Sequence, residues 1–560
     1  MYLALVATAR RAAAAPSAPV MTVADIKSCG RDANKALSML EEMRKAHQTD
    51  IYAYATAISV CSKAGEWEKA LSVLSSMDSD GLLPDRPCFN AALTACARSG
   101  RPSEARQLVE RMGNYALRPT PSCYTAIARA ALQSGDRHGA LVAIEELRRA
   151  GLQADWRALQ VELTACEGLL QGLAAAESSE LSERIAALVR ESLRLHQDTP
   201  LRESDITWLW RIYSRCTLRA VRSCVASDAA LPPADEDATS QLLSALSASA
   251  SSGSMPSFGD ERALTGYTTF HMINRAGKIA DILRGHSSDR SRSALGPALL
   301  AASSGAPVIS LGGGPAYDFA ALALVLDFAA MEAGETGGLG AGAARVHVLD
   351  YEPRWKGAAY AVSAAVLSVL SCPRDEIRAL EGAARPTGHQ MLFGRCDLTK
   401  PLASECNREV RGVLADSRLL VCSYVICENA RRLRETGYAF FSEVMTEAAP
   451  GTALVLTETT HRQFPELIAA ARRGAEAHGT VDCVVEASVS SNPGMGGSQC
   501  IIWKRPRREV EEAYGEEDAW EDDEDQEQAA LLKLYEARER AHRTSGRIHV
   551  EQNRPSRAAF

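Results

Sequence analysis

The stretch SKAGEWEKALSVLSSM, residues 62–77, sets the reading of the first third of the chain. Small and apolar residues recur in it at helical spacing, and Gly65 interrupts the run. The same register returns after 35 residues, and again after 35 more: segments 51–85, 86–120 and 121–155 align without a gap. Gly65, Gly100 and Gly135 share a column, as do Ala70, Ala105 and Ala140, then Met77, Met112 and Leu147, then Pro84, Pro119 and Ala154. Each unit reads as two helices, one before the glycine and one after it, ended by Gly81 and Pro84 in the first aligned unit. The run GRDANKALSMLEEM, residues 30–43, echoes the pattern one residue short, and an eroded fifth unit follows from Trp156. A fixed period of this length means stacked helix pairs, an α-solenoid in which no unit buries its apolar face alone.

A period of 34 would suggest tetratricopeptide repeats. The period of 35 and the ending GLLPD, residues 81–85, resemble instead the pentatricopeptide repeat, over residues 20–190. The resemblance implies binding of single-stranded RNA, about one base per repeat, read by the fifth and the last residue of each unit. Those pairs are Ala55 with Asp85, Asn90 with Thr120, and Thr125 with Asp155. A short polar group at the first turn of a helix can meet a base edge without a flexible stem. Ala55 has no hydrogen-bonding group, so its repeat reads poorly. The competing reading is a solenoid that docks a protein, its first-turn polar residues acting as helix caps.

The chain has 560 residues, 46% hydrophobic and 24% charged, which suits a multidomain globular protein. The formal net charge of −8 argues against a generally basic coat for nucleic acid. Much of the acid sits in EVEEAYGEEDAWEDDED, residues 509–525, which opens a tail (509–560) expected to be largely disordered, with a helical patch at 528–543. The 15 cysteines form no Cys-x-x-Cys pair, and Cys61 with Cys96 and Cys88 with Cys123 fall in repeat columns. They read as buried small apolar residues in a reducing compartment, with no metal site. No apolar run is long enough to span a bilayer, so no membrane partner is expected. Residues 1–22 carry Arg10, Arg11 and many alanines, with no acid before Asp25, which fits an organelle transit segment for a mitochondrion or plastid.

A helical extension follows the repeats at 191–227, containing DITWLWRIYSRC. A linker rich in Ala, Ser, Asp and Pro spans 228–258, with a short helix at 241–246. From about residue 260 to 508 the grammar is strand alternating with helix. APVISLGGGPAYDFAALALVLDF (306–328) gives a strand, a glycine turn and a helix, and ARVHVLDYEP (344–353) gives a strand ending in acid. Further strands lie in MLFGRCDLTKPL, SRLLVCSYVICENA and GTALVLTETT, with a closing pair around 492–497. The pattern implies a doubly wound, mostly parallel α/β sheet of Rossmann-like form.

In such a sheet the turn Gly312, Gly313, Gly314 lets the backbone approach a nucleoside-bearing ligand, and Asp350 at the tip of the second strand can accept from ribose hydroxyls. The order of LGGGPAYD, Asp350 and Asp397 in RCDLTKP resembles class I S-adenosylmethionine-dependent methyltransferases over residues 260–508. The resemblance implies S-adenosylmethionine as cofactor, with Asp350 on the ribose (Glu352 the substitute) and Asp397 on the adenine amine. A nicotinamide is the alternative; the missing Gly-x-Gly-x-x-Gly spacing and the closing strand pair stand against it. Ser423, Tyr424, Glu428 and Asn429, after the fourth strand, are candidates to shape the acceptor site, with Glu458 and His461 as alternatives. Three functions fit: an RNA methyltransferase guided by the repeats, a non-catalytic RNA-binding or processing factor on a methyltransferase scaffold, and a protein or small-molecule methyltransferase docked through the repeats.

Overall fold

The computed structural model describes residues 21–170, 175–196, 201–253, 257–287, 295–333, 343–370, 388–458, 462–477, 481–488 and 498–506. The transit segment (except its last residues), the acidic tail, the hairpin tip at 489–497 and His461 lie outside them. The chain divides into two compact units, 1–172 and 173–560.

The first unit is an α-solenoid. After α1 (Val23–Ser28) and α2 (Ala33–Lys45) come α3 (Ile51–Ala64), α4 (Trp67–Ser79), α5 (Arg86–Arg98), α6 (Pro102–Asn114), α7 (Pro121–Gln133), α8 (Arg137–Arg149) and α9 (Trp156–Leu169). First helices start at 51, 86, 121 and 156, and second helices at 67, 102 and 137, so the sequence period is the structural period. Local chemistry sets those starts. Asp50, Asp85 and Asp155 stand at the N-caps of α3, α5 and α9, and each side chain accepts from the backbone N–H three residues on. Such a cap contributes about 1 kcal/mol. Gly65, Gly100 and Gly135 end the pattern of each first helix with φ of +83°, +63° and +86°, where a side chain would be strained. Side chains then tie unit to unit: Lys69 Nζ donates to Asn34 Oδ1 at 2.9 Å, Arg111 Nη2 to Asp78 Oδ2 at 2.7 Å, and Arg98 Nη1 to the Ser62 carbonyl at 3.2 Å. Cys61, Cys88, Cys96 and Cys123 are buried free thiols of the repeat core, and burial pushes the Cys96 thiol up to about 11.

The second unit begins with α10 (Ala175–Arg194), α11 (Glu203–Ala226), α12 (Glu236–Ser252), α13 (Glu261–Ser287) and α14 (Leu295–Ser303). Then β1 (Pro307–Leu311), α15 (Tyr317–Ala333), β2 (Arg345–Asp350), α16 (Trp355–Leu370) and β3 (Gln390–Arg395) follow. α17 (Arg408–Leu414), β4 (Leu419–Ser423), α18 (Ala430–Glu435), α19 (Ala439–Glu447), β5 (Ala453–Glu458), α20 (Phe464–Ala475), β6 (Val481–Ser488) and β7 (Ser498–Pro506) complete it. The sheet order is β3-β2-β1-β4-β5-β7-β6, with β7 antiparallel to both β5 and β6 and the other pairings parallel. Ile309, Leu311, Leu420, Cys422, Leu454 and Leu456 point to one core with the residues of α17–α20.

The sequence reading differs here in two places. The expected linker at 228–258 contains a 17-residue helix, α12, which packs on α13 and α18. The expected helical extension ends in α11, which is built onto the sheet unit: Trp210 Nε1 donates to Asp281 Oδ1 at 2.8 Å, and the Trp210 and Phe328 rings meet edge to face at 5.2 Å. The Ala/Ser-rich composition of α12 looks like a linker because its small side chains bury little, yet small residues also let helices approach closely. Among the described residues no helix is long and apolar enough to cross a membrane.

Candidate functional site

Two groups of residues carry candidate chemistry. The first is the column at the helix starts of the solenoid. Asp85 and Asp155 each spend one carboxylate oxygen on their helix cap, so any base would meet the other. Thr120 caps α7, and its hydroxyl lies 2.8 Å from Ser122 Oγ. Asn90 is exposed and Ala55 half-buried. Thr125 is 4% exposed, and its hydroxyl donates to the Pro121 carbonyl at 2.8 Å. Among the fifth residues, Asn90 is thus the side chain most open to a ligand, and the last residues are anchored as caps. A cleft of about 260 Å³ also opens in the first repeats between Leu37, Leu40, Arg44, Tyr54 and Val73, and Arg44 and Tyr54 there both hold Asp80.

The second group lies at the C-terminal ends of β1, β2, β4 and β5. Asp350 closes β2, and its Oδ2 accepts from the Gly314 N–H at 2.9 Å while Oδ1 accepts from the Glu352 N–H at 2.9 Å. The glycine turn must be bare: Gly312 has φ +66°, and a Cβ there would meet Val425 at 2.7 Å. Gly313 would meet Ser310 Oγ at 2.1 Å. Burial pushes the Asp350 carboxyl up to about 6, against the opposing pull of the Glu352 and Gly314 N–H groups. Asp397 follows β3 at the same rim, where Cys396 N–H donates to the Asp350 carbonyl. Its Oδ1 accepts from the Thr399 N–H and hydroxyl at 2.9 and 2.6 Å.

An aromatic wall stands beside the turn. Phe258 meets Tyr351 at 5.9 Å and Trp355 at 5.7 Å, Tyr267 meets Trp355 at 5.2 Å, and a Cβ on Gly314 would touch the Trp355 ring at 3.8 Å. α13 contributes Tyr267, His271 and Arg275. The Arg275 guanidinium lies over the Tyr267 ring at 5.1 Å and over the Tyr424 ring at 4.6 Å, and donates to the Tyr267 hydroxyl. Burial, then Arg275, depress His271 to about 4, and its Nε2 has no partner among the described residues.

The four acceptor-site candidates separate by role. The Ser423 hydroxyl donates to Asp318, whose other oxygen accepts from Ser310 at 2.6 Å, so it points into the fold. Asn429 is tied to the Val425 carbonyl at 2.9 Å at the start of α18. The alternative Glu458 holds the loop by accepting from the Ile426 and Cys427 N–H groups. Tyr424 and Glu428 stand by Arg275: its guanidinium lies over the Tyr424 ring, and Glu428 feels its charge. Tyr424 has φ +58° and Ala316 has φ +66°, two non-glycine residues in the left-handed region that flank the glycine turn. Desolvation pushes the Glu428 carboxyl up to about 8, offset by the Arg275 charge and reinforced by Glu458 and Asp350. The sequence reading missed Tyr267, His271 and Arg275. Their one trace is GYTTFHMINR, residues 266–275, where polar and aromatic residues interleave without a single apolar stripe. Among the described residues no group of three His, Cys, Asp or Glu is placed to hold a metal.

The two units are thus a stack of helix pairs and a seven-stranded α/β sheet with a polar, aromatic rim. Residues 38–99 match the pentatricopeptide repeat domain family, and residues 87–115 match the single PPR repeat, so the solenoid carries pentatricopeptide repeats. No curated protein matches the chain. Among solved structures, the chain is similar to the PPR domain of Arabidopsis thaliana protein-only RNase P 1 in complex with tRNA, at 17% identity over 34% of this chain and 94% of that one, with a TM-score of 0.27. It is similar to pentatricopeptide repeat protein PPR10 from maize, at 14% identity over 85% and 75%, TM-score 0.27. It is also similar to the cofactor-bound protein Rv0187 from MTB, at 14% identity over 49% of this chain and 91% of that one, TM-score 0.23. Likenesses this distant add nothing to the reading of either site.

Proposed function

We propose that the chain is an RNA-binding protein whose second unit is an S-adenosylmethionine-dependent methyltransferase, the repeats bringing a transcript to the sheet unit. Joining the two raises the local concentration of the acceptor, which lets a short reader suffice. It would act in a mitochondrion or plastid, an address that residues 1–22 would supply. The observation that carries the catalytic half is the Asp350 carboxylate, hydrogen-bonded to the glycine turn across the C-terminal ends of β1 and β2. The residues there fit the cofactor. The bare glycines let the turn pack on Val425 and Ser310 and bring the Gly314 N–H to Asp350, Asp350 would accept from ribose hydroxyls, Asp397 at the end of β3 would take the adenine amine, and Tyr351 with Phe258 offers an aromatic face. When bound, the cofactor supplies an electrophilic methyl group. The chain supplies position, with Tyr424 at the rim beside Arg275.

Asp350→Ala should weaken cofactor binding by about 1.5–3 kcal/mol, because it removes a charged acceptor. Titration calorimetry on the full chain reads this directly; no heat with wild type at millimolar cofactor, or an unaffected variant, rejects the assignment. The pH dependence has a definite sign. Ribose hydroxyls donate to the ionised carboxylate, and the free group holds its proton below about 6. Affinity should therefore fall as pH drops through 6, by up to about tenfold per unit.

The repeats support the RNA half. An acceptor-only carboxylate at Asp155 suits the ring and exocyclic N–H donors of guanine, so Asp155→Asn should shift the preference of the third aligned repeat towards adenine by about 1 kcal/mol, since an amide also donates. Asparagine keeps the cap on α9, so the fold should persist. Binding should weaken with salt as phosphate contacts are screened. Selection from random RNA checks it: no enriched motif, or one unchanged by Asp155→Asn, would leave the solenoid as a docking module for protein.

A further inference from the structure

Arg275 and Glu428 are two charged groups beside the glycine turn with few hydrogen-bond partners among the described residues. Arg275 has five N–H donors and, among the described residues, one hydrogen-bond partner, the Tyr267 hydroxyl. It is half-buried, and two tyrosine rings clamp it in place, so its orientation is fixed before any ligand arrives. Glu428 is also half-buried; its backbone carbonyl accepts from Ser249 Oγ at 3.0 Å, while its carboxylate accepts no hydrogen bond among the described residues. The two side chains feel each other's charge without forming an ion pair within 4 Å. A buried guanidinium and carboxyl normally close on one another, because each unpaired charge is expensive. Two held apart at one rim are complementary to a ligand that carries both signs on neighbouring atoms.

Their place in the fold narrows that ligand. Tyr424 directly follows β4, and Tyr267 leans on Trp355, whose ring faces Gly314 of the turn after β1. β2 and β4 flank β1, so Asp350 at the end of β2 and Tyr424 just past β4 stand on opposite sides of that turn. A nucleoside whose ribose is held at Asp350 would therefore extend its 5′ substituent across the glycine turn towards Arg275 and Glu428. We propose that Arg275 and Glu428 bind the amino-acid end of the cofactor, Arg275 taking the α-carboxylate and Glu428 the α-ammonium. This rests on the reading of the sheet unit as an S-adenosylmethionine site. No bond is made or broken: the site recognises a zwitterion. The approaching ammonium also favours ionised Glu428, whose charged form burial opposes in the free protein.

Three thioether ligands test this on the full chain by calorimetry, without any turnover and without the sulfonium charge: S-adenosylhomocysteine, its decarboxylated form, and methylthioadenosine. Wild type should bind them in that order. Arg275→Gln should weaken S-adenosylhomocysteine by about tenfold to a hundredfold, the loss of a charge-assisted hydrogen bond. It should leave the decarboxylated form within about twofold. Glu428→Gln should weaken both amine-bearing ligands by about tenfold and spare methylthioadenosine. Equal losses for all three ligands would make the two residues merely structural and overturn the proposal, as would a wild type that binds all three alike. Inorganic phosphate that competes with S-adenosylhomocysteine on wild type but not on Arg275→Gln, with the decarboxylated form still bound as tightly as its parent, would assign Arg275 to a phosphate instead. Binding of methylthioadenosine without discrimination sinks this proposal alone; binding of none of the three sinks the cofactor reading with it.

Discussion

Gly474→Ala is expected to lower the stability of the sheet unit by about 3 kcal/mol, at the upper end of the range for overpacked cores. α19 and α20 cross so closely that a Cβ on Gly474 would lie 1.9 Å from the Ser442 carbonyl oxygen, 2.8 Å from its carbon and 3.0 Å from its Cα. All three are backbone atoms, so no rotamer change relieves the clash, and one helix must move. Both helices line the core beneath β4 and β5, with Phe440, Phe441, Leu467 and Ile468 packed together, so the displacement costs buried contacts as well. Gly412→Ala is the matched control. Nothing lies within 4 Å of a Cβ there, and the residue is within α17, so alanine should be neutral or stabilise by up to about 1 kcal/mol. Urea unfolding of the two variants against wild type separates them; a Gly474→Ala midpoint equal to the control would show that the helices are not in backbone contact.

Lys504→Met should cost about 3–5 kcal/mol in the same unit. Lys504 lies on β7, and its buried ammonium donates to the carbonyls of Met445, Thr446 and Ala448 at 2.8, 3.0 and 2.7 Å. Those are the unpaired carbonyls at the end of α19, where the helix dipole also favours a cation. Methionine fills a similar volume but leaves the carbonyls without donors in a dry interior, so the loss is a desolvation cost and not a cavity. Hydrogen exchange of the α19 amides and the urea midpoint both report it. Arginine at 504 would keep the charge but not fit three convergent carbonyls, and should recover less than half of the loss.

Both residues escape a reading of the sequence alone, and the reason is the same in each. Gly474 is one of 39 glycines in the chain and lies in an Ala-rich helix, and Lys504 sits in IIWKRP, where a lysine at the end of an edge-like strand reads as solvent-facing. Their roles depend on partners 32 and 56–59 residues away. The acceptor-side candidates show the same limit. Ser423, Tyr424 and Asn429 are near neighbours in sequence, yet Ser423 turns into the fold, Asn429 caps a helix and the Tyr424 ring lies against Arg275. The direction of each was set by Asp318, Val425 and Arg275, not by the local run.

What the sequence determined by itself is what short-range physics controls. The period of 35 fixed where every helix of the three aligned repeats begins, because an aspartate or threonine cap and a left-handed glycine act within a few residues of themselves. Strand alternation fixed the order of β1 to β5 along the chain, and the acid ending ARVHVLDYEP fell at the tip of β2. Tertiary structure alone decided the rest: that 203–252 belongs to the sheet unit as α11 and α12, that Arg275 of α13 lies between Tyr267 and Tyr424, and that Asp350 meets the Gly314 N–H. Those contacts join residues that no periodicity links. Only the packing of helices on a twisted sheet brings them to one rim, where burial and unpaired charge give them their chemistry.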